Sequence, residues 1–368
     1  MVLAMKVTVC GSGPGGMAIA AHLSTAGREV TVTDLPEFPR HLAAIAERGG
    51  VEVLTGWGGA ELVPVAATHE VGAAIGAADL VVVSVPWPGH ERWSEEAASS
   101  LRDDAALLFM GGGSGALVAR RSLLTSARPD VLVGETNCLP LIGRVAGPGA
   151  VVGDRKVGGV LLAAIPSGRT EELLDRVRDV WPFVEPARSV FETALVNYDA
   201  IDTVPTALAN AGTIEGRPGG MLMWGEGASR SVVRLIEALD GELFRLRRAL
   251  DGMDDRRYRE LLIAQGLAPD AGDLNDVMRA GGIVRSVRSS GSPADLDARV
   301  AQDTACTLVL ASSIGRATRV ATPVIDGLID LASAMLARDL RAEGRTLASL
   351  GLDDLDANGL VAFADGAA

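Results

Sequence analysis

The stretch Asn197-Tyr198-Asp199-Ala200-Ile201-Asp202-Thr203-Val204-Pro205 carries two carboxylates, a phenol, an amide and a hydroxyl in close succession. No histidine accompanies it: His22, His41, His69 and His90 all lie in the first hundred residues. Acid–base work in the second half of the chain therefore falls to carboxylates. A threonine hydroxyl such as Thr203 cannot be a general base at neutral pH. A carboxylate can be one when burial or a neighbouring carboxylate raises its pKa toward working pH. Two such groups in contact share their protons. If 190–212 is helical, Asp199, Thr203, Thr206 and Asn210 share one face. Asp202 then points about 100° away from Thr203, into the same site or aside. The competing reading is that these polar residues decorate a solvated helix face.

A second constellation opens the chain. Lys6 to Cys10 reads as a buried strand, Gly11-Ser12-Gly13-Pro14-Gly15-Gly16 follows, and Met17 to Ala26 reads as an apolar helix. A second strand, Glu29 to Thr33, ends in Asp34. This is a GxGxxG turn in its proper context. Gly11 permits the tight turn, Gly13 lets a pyrophosphate approach the backbone, and Gly16 lets the helix pack closely. The helix N-terminus holds the phosphates and the Asp34 carboxylate accepts from a ribose hydroxyl. Asp34 points to NAD, because it would repel a 2′-phosphate; Arg40 nearby keeps NADP open.

These residues need a scaffold, and the bulk of the sequence supplies one. A chain of 368 residues that is 48% hydrophobic can bury two cores. The first half alternates strand and helix: Val51–Leu54, Glu61–Pro64, Val71–Ala78, Leu80–Val85, Arg92–Leu101, Ala105–Met110, Val131–Gly134 and Val160–Ile165. The expected sheet is mostly parallel and binds ligands at the C-terminal ends of its strands. That places Val85, Pro86, Glu135 and Thr136 along a cofactor site. The run Gly111–Gly115 is either part of it or a plain loop. Around 183–189 the alternation stops, and 190–213, 228–250, 255–266, 273–280, 294–317 and 323–339 read as helices, with a polar loop over 290–293. The predicted fold class is α/β: an N-terminal Rossmann-type doubly wound sheet (1–187) followed by an all-helical C-terminal substrate domain (188–368) closing over it. The net charge of −13 argues against nucleic acid and anionic membranes. No apolar run spans a bilayer and no signal peptide is evident. Cys10, Cys138 and Cys306 form neither a metal-ligand spacing nor a disulfide framework, so a reduced, cytoplasmic, metal-free protein is expected. Apolar surface on the last helices would permit a homodimer.

Further stretches resemble the octopine/nopaline (opine) dehydrogenase family. They are Leu80–Pro86 with His90-Glu91, Gly134-Glu135-Thr136-Asn137-Cys138-Leu139-Pro140 through Arg144, Val190-Phe191-Glu192-Thr193 through Asn197, Pro205 and Asn210-Ala211-Gly212, Met223-Trp224-Gly225-Glu226-Gly227, Arg299 with Gln302-Asp303, and Gly344-Arg345-Thr346-Leu347. The resemblance covers essentially the whole chain. It implies a two-domain NAD(P)-dependent enzyme that reduces the imine of a 2-oxo acid and an amino acid, or runs the reverse oxidation. It also implies a histidine–aspartate pair as acid and base.

The chain departs from that pattern at one point. Asp303 matches the aspartate, but the histidine's register holds Thr203, with Asp202 beside it. An aspartate-based site on Asp202, Asp199 and Asp303 is the expected replacement. A carboxylate beside a C=N group stabilises the iminium cation, so the departure favours imine or amine chemistry. Asn197, Tyr198, Thr206, Asn210 and Trp224 are candidate substrate contacts or packing residues. Arg144 is a candidate carboxylate clamp or a structural ion pair. His90 is a candidate nicotinamide neighbour or a helix cap. Two other readings stay open. One is a ketopantoate- or hydroxyacid-type reductase, although those rely on a lysine in the helical domain and no lysine follows Lys156. The other is a dinucleotide-binding homologue without catalysis.

Overall fold

The computed structural model describes residues 4–54, 59–156, 158–250, 255–281 and 293–367. The chain divides into two compact units, Met1–Pro186 and Ala187–Ala368.

In the first unit the apolar, β-branched runs form a buried eight-stranded sheet. Its strands are β1 (Lys6–Cys10), β2 (Glu29–Thr33), β5 (Ala66–Thr68), β6 (Leu80–Val83), β7 (Ala106–Phe109), β8 (Leu132–Thr136), β11 (Val160–Ile165) and β12 (Val184–Pro186). Their order is β12-β11-β8-β7-β6-β1-β2-β5. Pairing is parallel except between β8 and β11. The order reverses at β1, between β2 and β6, which is the switch point where such sheets bind ligands. Strands β6, β7 and β11 are buried throughout, as their unbroken apolar sequences require. The helices α1 (Pro14–Thr25), α2 (Pro39–Arg48), α3 (Val71–Ala77), α4 (His90–Ser100), α5 (Gly115–Thr125) and α6 (Thr170–Asp175) connect them.

A second sheet of order β4-β3-β10-β9 stands apart, built from β3 (Gly50–Leu54), β4 (Ala60–Pro64), β9 (Leu141–Gly147) and β10 (Ala150–Lys156). The sequence indicates β3 and β4 but not the β9–β10 hairpin. Glycine and charged residues break its alternation, and its pairing partner β3 lies about a hundred residues upstream, beyond any local pattern. The strand expected over Leu80–Val85 stops at Val83, because the chain turns at Ser84 toward a short 3-10 turn at Trp87–Gly89.

The second unit is helical: α7 (Val190–Leu195), α8 (Tyr198–Ala209), α9 (Ala211–Gly216), α10 (Arg230–Ala249), α11 (Tyr258–Ala264), α12 (Leu274–Ala280), α13 (Pro293–Asp303), α14 (Val309–Thr318), α15 (Pro323–Leu336), α16 (Leu340–Glu343), α17 (Leu347–Leu350) and α18 (Ala357–Ala364). The single helix expected over 190–213 is three. Asn197 restarts it as the N-cap of α8, its side-chain oxygen accepting from the Asp199 backbone N–H, and Asn210 interrupts it again with φ −122°. The helix expected over 294–317 contains a π-helical turn, Thr304–Leu308, directly after Asp303. The loop expected over 290–293 lies outside the described residues except at Pro293, and so does the side chain of Arg299. No described helix is long and apolar enough to cross a membrane.

Candidate active site

In the first unit, the end of β1 meets the end of β6 at the glycine loop. A Cβ on Gly11 would lie 2.5 Å from the Ser84 carbonyl oxygen and 2.7 Å from Val85, and φ there is +104°. A Cβ on Gly16 would lie 1.9 Å from the Gly11 carbonyl oxygen. Both glycines are therefore required by the fold itself. Gly13 is different. It has ordinary extended backbone (φ −68°, ψ −179°) at the N-cap of α1, and a Cβ there would meet nothing within 4 Å. No packing or backbone constraint calls for glycine at this position. An open cradle before a helix N-terminus, next to exposed Pro14, fits a phosphate.

Asp34 is buried and holds the loop. Its Oδ2 accepts from the Ser12 N–H at 2.7 Å and the Ser12 hydroxyl at 2.6 Å, and its Oδ1 accepts from the Leu35 N–H at 2.8 Å. A carboxylate offers about four acceptor positions, so Asp34 retains room for one further donor.

The other strand-end candidates have structural duties in the same unit. The Glu135 carboxylate is fully buried and accepts from the Ala116 N–H in the first turn of α5. The Thr136 hydroxyl donates to the Cys138 carbonyl at 2.8 Å and receives the Gly111 N–H at 3.4 Å. The Gly111–Gly115 run is thus tied to the end of β8. His90 is buried, with Nε2 3.3 Å from the Val85 carbonyl and its ring edge-on to Phe109 at 5.1 Å. Arg144 is exposed on β9 of the second sheet. Pro86 is exposed and Val85 half-buried beside Gly11.

In the second unit, α8 packs on α13 and α10, which brings residues about a hundred positions apart into one polar cluster. Asp202 and Asp303 are buried, whereas Asp199 is exposed on α8. Asp202 is the most heavily bonded. Its Oδ2 accepts from the Tyr258 hydroxyl at 2.5 Å, its Oδ1 accepts from the Thr203 hydroxyl at 3.0 Å, and the Trp224 side chain donates as well. Burial outweighs these donors. Together with the Asp199 charge it raises the Asp202 carboxyl from the usual carboxylate range to about 7. Burial also pushes Asp303 well up, with Asp199 and Asp202 adding to it and a hydrogen bond from Asn197 opposing. The protons belong to the group rather than to either residue.

Asn197 ties the cluster together. Its oxygen caps α8, and its Nδ2 donates to the Thr307 hydroxyl at 2.9 Å on the π turn. Asn210 braces the chain instead, donating to the Thr206 and Gly227 carbonyls. Thr206 is fully buried and its hydroxyl has no hydrogen-bond partner. Tyr198 is buried, with its ring centroid 6.3 Å from that of Tyr258.

Tyr258 is the residue that sequence reasoning missed. It follows Asp255-Arg256-Arg257, which reads as a solvated charge run. The available signal was scarcity: the chain has two tyrosines, and both lie in this cluster. Among the described residues, no group of three or more His, Cys, Asp or Glu side chains is arranged to hold a metal.

Comparison with known proteins gives the cluster a context. Residues 186–336 match the family described as NAD/NADP octopine/nopaline dehydrogenase, alpha-helical domain. An opine dehydrogenase from Arthrobacter sp. (strain 1C) is 29% identical over 364 residues, 98% of this chain and 99% of that protein. Among solved structures, an octopine dehydrogenase in complex with NADH and agmatine superposes with a TM-score of 0.80 at 19% identity, covering 97% of this chain and 98% of that one. A ketopantoate reductase from Ralstonia eutropha JMP134 has a TM-score of 0.61 at 22% identity, covering 90% and 99%. The fold is shared with both, and the longer and better superposition is with the former. Residues 186–336 are therefore similar to the alpha-helical domain of the octopine/nopaline dehydrogenases, and the chain as a whole is similar to an opine dehydrogenase from end to end.

Proposed function

We propose that this opine-dehydrogenase-like oxidoreductase acts on a C–N bond, reducing an imine or oxidising the corresponding amine, with carboxylates in place of a histidine. The cofactor is NAD or NADP, which supplies or accepts the hydride. Gly13 and the first turn of α1 would hold its phosphates, and Asp34 would hold the adenosine ribose while bracing Ser12. Val85, Pro86, His90, Glu135 and Thr136 belong to the strand ends and turns around that site.

The single observation that carries this reading is Asp202: a buried carboxyl with pKa raised to about 7, beside a second buried carboxyl, Asp303. A group poised there both gives and takes a proton near neutral pH. In the reductive direction the protonated carboxyl gives its proton to the hydroxyl leaving a carbinolamine, so that water departs and a C=N bond forms. The carboxylate left behind stabilises the iminium cation that accepts the hydride. In the oxidative direction the carboxylate takes the proton back from the attacking water. Asp199 adds negative charge that favours a cationic substrate, and Thr203 and Trp224 orient Asp202. Asn197, Tyr198 and Thr206 border the cluster on α8, and Asn210 steadies the end of that helix.

A lysine-dependent reductase is disfavoured by composition, since no lysine occurs beyond residue 156. The test is NADH and NADPH oxidation by the purified protein with 2-oxo acids plus amines, and with cyclic imines alone. Turnover with cyclic imines only identifies an imine reductase, and turnover with acid–amine pairs identifies opine synthesis. Tight cofactor binding without turnover on either panel counts against C–N chemistry.

A further inference from the structure

We propose that Tyr258 is a positioning residue for the acid–base step, holding the Asp202 carboxyl in one orientation in both of its protonation states. The proposal rests on the reaction assigned above, but the contact it depends on is independent of it. Tyr258 is fully buried, and its hydroxyl lies 2.5 Å from Asp202 Oδ2. Phenylalanine would fill the same volume, so the hydroxyl is explained by its partner and not by packing.

The three donors to Asp202 are not equivalent. Trp224 can only donate, so it favours the carboxylate and cannot accept from a protonated oxygen. Thr203 is the next residue on α8 and moves with Asp202, so it cannot fix the carboxyl relative to the rest of the domain. Tyr258 stands 56 residues away on α11. Its hydroxyl donates to Oδ2 when Asp202 is ionised and accepts from Oδ2 when the proton sits there. The pair therefore survives the arrival and departure of the proton.

The start of α11 is built to hold this residue still. Asp240 on α10 accepts from Arg257 Nε at 2.6 Å and from the Tyr258 backbone N–H. Glu260 closes the first turn by accepting from the Arg257 N–H at 3.2 Å. The groups that act on the pair are Asp199 from α8 and Asp303 from α13, with Cys306 beyond Asp303 on the π turn and Tyr198 beside the Tyr258 ring. Asp240 and Arg257 form an ion pair next to Tyr258, so each offsets the other's field.

The chain's two tyrosines make a direct test possible. Protein labelled uniformly with 3-fluorotyrosine should give two fluorine resonances, assigned with the Y198F variant. The Tyr258 resonance should shift with a midpoint near that of Asp202, about 7, and this shift should vanish in D202N. A Tyr258 resonance that stays fixed from about pH 5 to about pH 9 overturns the pairing, whatever the activity.

Kinetics then separates positioning from support. In Y258F the plateau kcat for reduction should fall about tenfold with the KM for the amine within about twofold. The alkaline limb should move up by about one pH unit, because a donor to the carboxylate is lost. A fall in kcat with the limb unmoved marks a structural role only and overturns the proposal. A fluorine titration that behaves as expected in a protein that turns over neither panel sinks the assigned reaction and leaves the Tyr258–Asp202 pairing standing.

Discussion

At the scale of single residues, the decisive quantity is where Asp202 holds its proton. Burial raises its pKa in the folded chain to about 7, so the folded state binds a proton that the unfolded chain has released above about pH 4. Stability from this group is therefore present at low pH and lost as pH rises from about 4 to about 7, a cost on the order of 4 kcal/mol. Thermal unfolding across that range should show a steeper fall in wild type than in D202N; parallel profiles would mean that Asp202 is not buried as a free acid. On the proposed mechanism, activity follows the same proton. The reductive kcat/KM should be level below about pH 7 and fall tenfold per unit above it, while the oxidative rate should rise through about 7. D202N and D303N should each lower kcat by roughly a hundred- to ten-thousand-fold without loss of fold; full activity in both would remove the carboxylates from the mechanism. The glycine loop offers a matching contrast. Gly16→Ala should destabilise the first unit, because its Cβ would sit 1.9 Å from a carbonyl oxygen. Gly13→Ala should leave the melting temperature alone and weaken NADH binding, which isothermal titration would show. Equal effects of the two would argue against a phosphate at Gly13.

At the scale of elements, position depends on caps and breaks. α8 exists as a separate helix because Asn197 supplies its N-cap, and the same side chain reaches Thr307. Asn197→Ala should cost about 1–2 kcal/mol from the lost cap, and more for the Thr307 hydroxyl and Asp303 left with one donor fewer. Urea unfolding should show this at unchanged m-value; a cost of a few tenths of a kcal/mol would mean that water replaces the side chain. The strands β6, β7 and β11 were legible because an unbroken apolar run has one stable home, a sheet covered on both faces. The β9–β10 hairpin was not, because its apolar residues are few and its partner β3 is remote. The helix break at Asn197 and the π turn after Asp303 were also illegible. Apolar periodicity runs on through both, and only side-chain hydrogen bonds and local packing decide where a helix restarts or widens.

At the scale of the whole molecule, the chain is two units with different tasks, Met1–Pro186 and Ala187–Ala368. Each buries its own apolar residues, so each half expressed alone should unfold cooperatively, the first binding NADH and the second not. Failure of the second to fold would show that it depends on the first. The amino-acid sequence by itself determined the strand–glycine loop–helix at the start of the chain, the change from alternating to helical pattern near residue 186 and the likeness to opine dehydrogenases. These are local or cumulative signals, carried by neighbours in the chain. It also singled out Asp199, Asp202 and Asp303 without being able to rank them, since helical spacing placed Asp202 off the face shared by Asp199 and Thr203. Tertiary structure made that choice. Packing of α8 against α13 and α10 buried Asp202 and Asp303 and left Asp199 exposed. It also set Trp224 against Asp202 and brought in Tyr258, whose distance along the chain hides it from any periodic pattern. A pKa is set by burial and by neighbours in space, and neither exists until the helices meet.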